Sequence, residues 1–189
     1  VHPPQMSGPR SCNQWRLDPA YHPVHDHTVS DVKNILILGG GTAGTMAANR
    51  LRKVLPPGQW SLTGVDADDD HRYQPGFLFV PFGIYRPDQV TRSRRRVLHP
   101  SVSLIYGQIA RVEAEANRVQ LVDGRTLEYH TLIIATGVQP RPDQTPGLQG
   151  EQWHRSIHEF YTYDGSVALA QALRTWPGGH LVVHITDMP

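Results

Sequence analysis

The sequence predicts an α/β fold built on a parallel sheet, and three observations predict it. Ile35-Leu36-Ile37-Leu38 is a short, wholly apolar run, the pattern of a strand buried on both faces. A glycine-rich turn follows, and then Ala43, Met46, Ala47, Leu51, Val54 and Leu55 recur at spacings of three and four, the stripe of an amphipathic helix. Trp60 to Val65 reads as a second strand, ending at Asp66. Together they make a strand–helix–strand unit of roughly 30 residues.

Each boundary has a local reason. The first strand starts at Lys33, after a stretch rich in Pro, His, Ser and Gln. That stretch, residues 1–31, reads as a disordered tail. Pro56-Pro57-Gly58 ends the helix, because proline cannot continue its hydrogen-bond ladder. From Asp68 to Pro100 the chain reads as irregular, with Val102 to Ile105 as the next candidate strand. Ile109 to Glu115, Val119 to Val122 and Leu127 to Tyr129 alternate apolar and polar residues around the turn signal Asp123-Gly124, which predicts a β-meander. Leu132-Ile133-Ile134-Ala135 is a further buried run, closed by Thr136-Gly137. Asp164 is the expected cap of a helix through about Leu173. Leu181 to Ile185 is expected to begin a new strand. Residues 32–147 are thus read as one domain, and 148–189 as a linker plus the start of a second Rossmann-like domain.

Composition narrows the function classes. The 189 residues carry a formal net charge of only +1, which does not point to nucleic acid. The single cysteine, Cys12, cannot form an internal disulfide. No apolar run reaches the ~20 residues that a membrane-spanning helix needs. These readings favour a cytoplasmic setting.

Gly39-Gly40-Gly41-Thr42-Ala43-Gly44 contains the spacing Gly39-x-Gly41-x-x-Gly44. Each glycine has a physical role at this spacing. Gly39 makes the tight turn out of the strand, Gly41 lets a pyrophosphate approach the backbone, and Gly44 lets helix and strand pack closely. The phosphate charge then meets the free N–H groups at the helix N-terminus. Asp66 lies 22 positions beyond Gly44, where a carboxylate accepts hydrogen bonds from ribose hydroxyls. A strand before the motif and a helix after it are the context that makes it informative.

The order of these parts resembles the two-dinucleotide-binding-domain flavoproteins. The fingerprint, the meander and the Ala135-Thr136-Gly137 turn carry the resemblance, and His71-Arg72-Tyr73-Gln74-Pro75-Gly76-Phe77 narrows it. That segment looks like its counterpart in the sulfide:quinone oxidoreductase and flavocytochrome c sulfide dehydrogenase group. The stretch His180 to Pro189 resembles the first strand of the second domain in that group. The resemblance implies a Rossmann-type FAD-binding half-domain, with FAD as cofactor and no metal. Gly39, Gly41, Thr42, Ala43 and Gly44 would hold its pyrophosphate, Asp66 its ribose and Ile109 its adenine. Ala135, Thr136 and Gly137 would lie near the pyrophosphate or ribitol. A small reductant and a quinone are the implied partners, with peripheral contact on the inner face of the membrane. Type II NADH dehydrogenases are cousins with a similar core, and a truncated nucleotide-binding module without catalysis is the third reading.

Sulfide chemistry in this group uses cysteine thiolates, and the folded part of this sequence has none. The catalytic residues are therefore unassigned. They and the flavin-holding remainder of the domain are expected beyond Pro189, and the chain as given is expected to be inactive. Three other features have plainer readings. His22, His25, Asp26 and His27 read as a solvated tail rather than a metal site. Arg92, Arg94, Arg95 and Arg96 read as a solvated or salt-bridged face of a short helix. Trp153, His154, His158, Tyr161 and Tyr163 read as local packing rather than a flavin cover.

Overall fold

Strand β1 (Lys33–Leu38) lies at the centre of the parallel sheet, and its four apolar residues, Ile35 to Leu38, are the ones flanked by a strand on each side. In the computed structural model, which describes residues 32–184, Ile35 to Leu38 are at most 4% exposed. On one side β1 pairs in parallel with β2 (Trp60–Asp66), in the register Ile35 to Leu62 and Ile37 to Gly64. On the other it pairs in parallel with β9 (Thr131–Ile134). Strand β5 (Ser103–Tyr106) adds to β2, so the four-stranded parallel order is β5-β2-β1-β9.

Alternate residues of β1 face opposite layers. Ile35 and Ile37 pack with Leu62, Leu98, Val102 and Ala48 of helix α1 (Thr42–Val54). Leu36 and Leu38 pack with Val65 and with Val119 and Leu121 of the meander. That meander is the antiparallel sheet β6 (Ile109–Glu113), β7 (Arg118–Leu121) and β8 (Thr126–Glu128). The β7–β8 turn is a three-residue loop, Val122 to Gly124, rather than a two-residue Asp-Gly turn: the Leu121 N–H donates to the Arg125 carbonyl at 2.8 Å, and only Gly124, at a φ of +88°, takes the left-handed conformation. The result is three layers: helix, parallel sheet, antiparallel sheet.

The expected helix is present and Leu51 and Leu55 of its apolar stripe pack against the core, but the rest of the inner face is different. Gly44, Thr45, Ala48 and Arg52 face inward, whereas Met46 is 66% and Val54 65% exposed. Small side chains let α1 lie close on β1, and closeness rather than hydrophobicity sets the phase of its first turns. Arg52 is buried usefully, donating to the carbonyls of Trp60 and Leu55 at the helix end.

The stretch 68–100 is more ordered than its composition predicts. Strands β3 (Asp70–Arg72) and β4 (Thr91–Ser93) pair antiparallel, and a single turn of helix, α2 (Arg94–Val97), follows. Between them Phe77, Val80 and Val90 form a small core with Tyr163, Val167 and Ala170 of helix α3 (Tyr163–Thr175). The cap of α3 is Thr162, not Asp164: the Thr162 hydroxyl accepts from the Gly165 N–H at 3.0 Å. Threonine fits because it is extended and precedes the first helical residue, while Asp164 already lies inside the first turn.

Residues 181–184 are not a strand, contrary to expectation; they have no regular structure, and Leu181, Val182 and Val183 are 61, 85 and 70% exposed. Without a neighbouring strand in the described residues, their apolar pattern has nothing to pair with. The tail, its histidine cluster, and Ile185 to Pro189 lie outside the described residues. No helix among the described residues is long and apolar enough to cross a membrane.

Candidate nucleotide site

The expected site residues converge at the carboxyl ends of β1, β2 and β9, the edge at which open α/β sheets bind ligands. Gly39 leaves β1 with a φ of +92°, a conformation that disfavours any side chain. A Cβ at Gly39 would lie 2.3 Å from the Ala135 carbonyl oxygen. The loop after β1 therefore touches the loop after β9, and the Ala135 N–H donates to the Leu38 carbonyl at 2.7 Å. Thr136 and Gly137 continue outward and are exposed, Gly137 at a φ of +75°.

The other two fingerprint glycines differ from each other. A Cβ on Gly44 would fall 1.8 Å from the Gly39 carbonyl oxygen, so the fold itself forbids a side chain there. A Cβ on Gly41 meets nothing within 4 Å, and its φ of −69° suits any residue. Gly41 caps α1 without a side-chain hydrogen bond, and the first turn holds no acidic residue. Thr42 and Ala43 are exposed beside it. The first N–H groups of α1, which have no partner within a helix, are thus open to an anion.

Asp66 closes the site at the end of β2, and it is more heavily engaged than a free ribose ligand would be. Its Oδ2 accepts from the Gly40 N–H at 2.5 Å and its Oδ1 from the Ala67 N–H at 2.7 Å. Arg94 Nη2 lies 2.9 Å from Oδ1. A carboxylate offers about four acceptor positions, so room for about one further hydrogen bond is left, on Oδ2. The Gly107 N–H donates to the Asp66 carbonyl at 2.8 Å, which brings β6 past the same end of β2. Ile109, two residues on, is half-buried and packs into the core under the meander.

The arginine run does begin a short helix with salt bridges, but Arg94, which pairs with Asp66 and Asp68, is turned inward. Arg92, Arg95 and Arg96 are exposed, but Arg94 is 5% exposed, beneath the fingerprint loop. The acidic run Asp66, Asp68, Asp69 and Asp70 was the available signal: a run of carboxylates calls for a cation, although it does not say which arginine turns inward. Near it the Tyr106 hydroxyl donates to Asp69 at 2.5 Å. Hydrogen bonds from Ser93 and Tyr106 hold the Asp69 carboxyl below its ordinary pKa, and the same contact with Asp69 raises that of Tyr106.

Of the linker aromatics only part packs locally: Tyr161 is exposed, and Tyr163 reaches a distant segment. Trp153 stacks on His154 at 4.8 Å, and Tyr163 meets Phe77 edge-on at 5.9 Å with Arg72 over its ring.

Known proteins match this arrangement. Residues 33–183 match the pyridine nucleotide-disulphide oxidoreductase family. The mitochondrial sulfide:quinone oxidoreductase of Mus musculus is 28% identical over 88% of this chain and 37% of its own length. The ferredoxin–NAD(+) reductase component of the Pseudomonas putida p-cumate 2,3-dioxygenase system is 32% identical over 74% of this chain and 34% of its own. The solved sulfide:quinone oxidoreductase of Aquifex aeolicus shares the fold, with a TM-score of 0.63 at 21% identity, over 75% of this chain and 32% of that one. The chain thus spans about a third of the length of these relatives. With a family match that runs from β1 past α3 and covers every residue of the site, the chain belongs to the pyridine nucleotide-disulphide oxidoreductase family of FAD flavoproteins.

Proposed function

We propose that residues 33–183 hold the adenosine diphosphate half of FAD, in an oxidoreductase that resembles sulfide:quinone oxidoreductase and passes electrons from a small reductant through flavin to quinone. The contrast among the fingerprint glycines carries this reading. Gly39 and Gly44 are glycine because the protein itself leaves no room for a side chain. Gly41 has room, so its reason lies outside the chain, in a phosphate that must reach the backbone.

In this reading the N–H groups of Gly41, Thr42 and Ala43 bind the pyrophosphate. Asp66 takes one ribose hydroxyl through Oδ2, Ile109 lies beside the adenine, and Ala135, Thr136 and Gly137 border the pyrophosphate or ribitol. When bound, the flavin supplies the two-electron chemistry, while the protein binds and orients it. The likeness to the mouse enzyme over 88% of the chain supports the sulfide and quinone assignment. That assignment also carries the proposal of peripheral contact at the inner face of a membrane, where quinone resides. The Pseudomonas putida relative favours a second reading, a flavoprotein that draws electrons from a pyridine nucleotide, as in the type II NADH dehydrogenases. Bleaching of bound flavin by sulfide but not by NADH selects the first; the reverse selects the second.

Binding of FAD, ADP and FMN, followed by flavin fluorescence and calorimetry, tests the site itself. FAD and ADP are expected to bind and FMN, which lacks the adenosine, to bind far more weakly. Gly41→Val is expected to abolish ADP binding with an unchanged far-UV circular dichroism spectrum, since the fold has space for the side chain. Equal affinity for FMN and FAD, or an unaffected Gly41→Val variant, would sink the reading.

A further inference from the structure

Beneath the nucleotide site lies a buried cation that the fingerprint does not require. Arg94 begins α2, and its guanidinium has a partner at every nitrogen. Nε donates to the Asp68 carbonyl at 2.8 Å, Nη1 to the Gly40 carbonyl at 2.5 Å and Nη2 to the Asp70 carbonyl at 2.9 Å. Nη2 also pairs with Asp66 Oδ1 at 2.9 Å and with Asp68 Oδ1 at 3.3 Å. One rigid planar fork therefore joins the fingerprint loop, the end of β2, the turn after it and the start of β3.

Gly40 supplies a second, independent observation. The fingerprint leaves position 40 open to any residue. A Cβ there, however, would lie 2.9 Å from both Cδ and Nη1 of Arg94. The middle glycine of the three in a row is explained by the arginine packed under it. The loop and the cation are fitted to each other.

We propose that Arg94 is a positioning residue for the nucleotide, setting the spacing between the Gly40–Gly41 turn and Asp66 and orienting Asp66 toward the ribose 2′-hydroxyl. The inference rests on the reading that Asp66 meets the ribose of a bound adenine nucleotide. Arg94 and the Ala67 N–H occupy Oδ1, and the Gly40 N–H occupies part of Oδ2. The lone pair that remains on Oδ2 then has one direction. Without the guanidinium, Oδ1 loses its charged partner and the carboxylate is held only by the N–H groups of Gly40 and Ala67, while the Gly40 carbonyl, which keeps the Thr45 hydroxyl at 2.9 Å, loses its cationic donor. Arg94 acts through Asp66 and the loop, and its own donors are turned toward the protein.

The test is calorimetric titration of the full 189-residue chain with ADP and with 2′-deoxy-ADP. The wild-type chain is expected to prefer ADP by about tenfold or more, the value of a hydrogen bond to a charged acceptor. In Arg94→Met, which keeps the aliphatic stem, that preference is expected to fall to within about twofold of unity. A purely structural role lowers both affinities together and leaves the ratio alone. Arg94→Lys keeps the charge as a single point that cannot span Gly40 and Asp66 at once. Its expected ratio is intermediate, and it decides the matter if Arg94→Met does not fold. A folded variant of either kind with the wild-type ratio overturns the proposal. A wild-type chain that binds ADP without preference over 2′-deoxy-ADP, or binds neither, overturns the ribose role of Asp66 and this inference with it.

Discussion

Residues 35–38 sit at the centre of the sheet at 0–4% exposure, whereas residues 181–183 have no regular structure and are 61–85% exposed. Both are short apolar runs with branched side chains. What separates them is company. Ile35 to Leu38 have a parallel strand on each side, α1 on one face and the meander on the other. Leu181 to Val183 have none of these among the described residues. A strand is a property of a pairing, and an apolar run states only that a pairing is wanted. Helix α3 stands between the two extremes, buried along one line against Phe77, Val80 and Val90.

If anchoring is what distinguishes these regions, substitutions should cost progressively less along that order. The largest loss is expected in β1. Leu36 is fully buried, and Leu36→Ala removes its contacts and leaves a cavity between sheet and meander. The expected loss is about 3–5 kcal/mol, read from the shift in a urea unfolding midpoint. A loss below about 1 kcal/mol would mean that this core can collapse around the change.

The middle case is α3. The Thr162 hydroxyl accepts from the Gly165 N–H at 3.0 Å and donates to Glu159 Oε1 at 2.5 Å. Thr162→Ala removes the cap and leaves Glu159 with fewer donors. The expected cost is about 1 kcal/mol. Hydrogen exchange locates it: amides of α3 should lose protection while those of β1 keep theirs. Equal loss in both would show that α3 and the parallel sheet unfold as one unit, which would weaken the contrast drawn between them.

The same contrast explains which features were legible in the sequence. The parallel sheet, α1 and the meander could be read because pattern and partner coincide: Trp60 to Asp66 and Thr131 to Ile134 each pair with β1, one on either side. The fingerprint was legible because three glycines at fixed spacing encode a backbone path. The inner face of α1 was legible at Leu51 and Leu55 but not in its first turns, since Gly44 and Ala48 face inward for closeness while Met46 faces outward, and hydropathy cannot report closeness. The pairing of β3 with β4 was hidden because three-residue strands carry too little periodicity to see. Arg94 was hidden for a different reason. Four arginines in a run look alike in one dimension, and only the three-dimensional return of the chain to Asp66 and Gly40 picks out the one that turns in. Asp164 invites the cap assignment because aspartate favours that role, yet the geometry gives it to Thr162, two residues earlier.

The smallest effect is expected at the carboxyl-terminal run. Val183 is 70% exposed and makes no ladder hydrogen bonds in residues 181–184. Val183→Ser exchanges an apolar side chain for a polar one of smaller size. In β1 a serine in place of Ile37 would leave a cavity and bury a hydroxyl without a partner, at a cost of several kcal/mol. At position 183 water already surrounds the side chain, so the folded state loses no contact and the hydroxyl is solvated in folded and unfolded chains alike. The expected change in unfolding free energy is within about 0.5 kcal/mol in either direction. Light scattering provides a second readout, because a solvent-facing run of leucine and valine favours self-association that serine would reduce. A loss above about 1 kcal/mol would show that residues 181–184 dock against the sheet in solution. In that event the difference between the two apolar runs would be one of degree, and the pairing that Leu181 to Val183 lack here would exist elsewhere in the molecule.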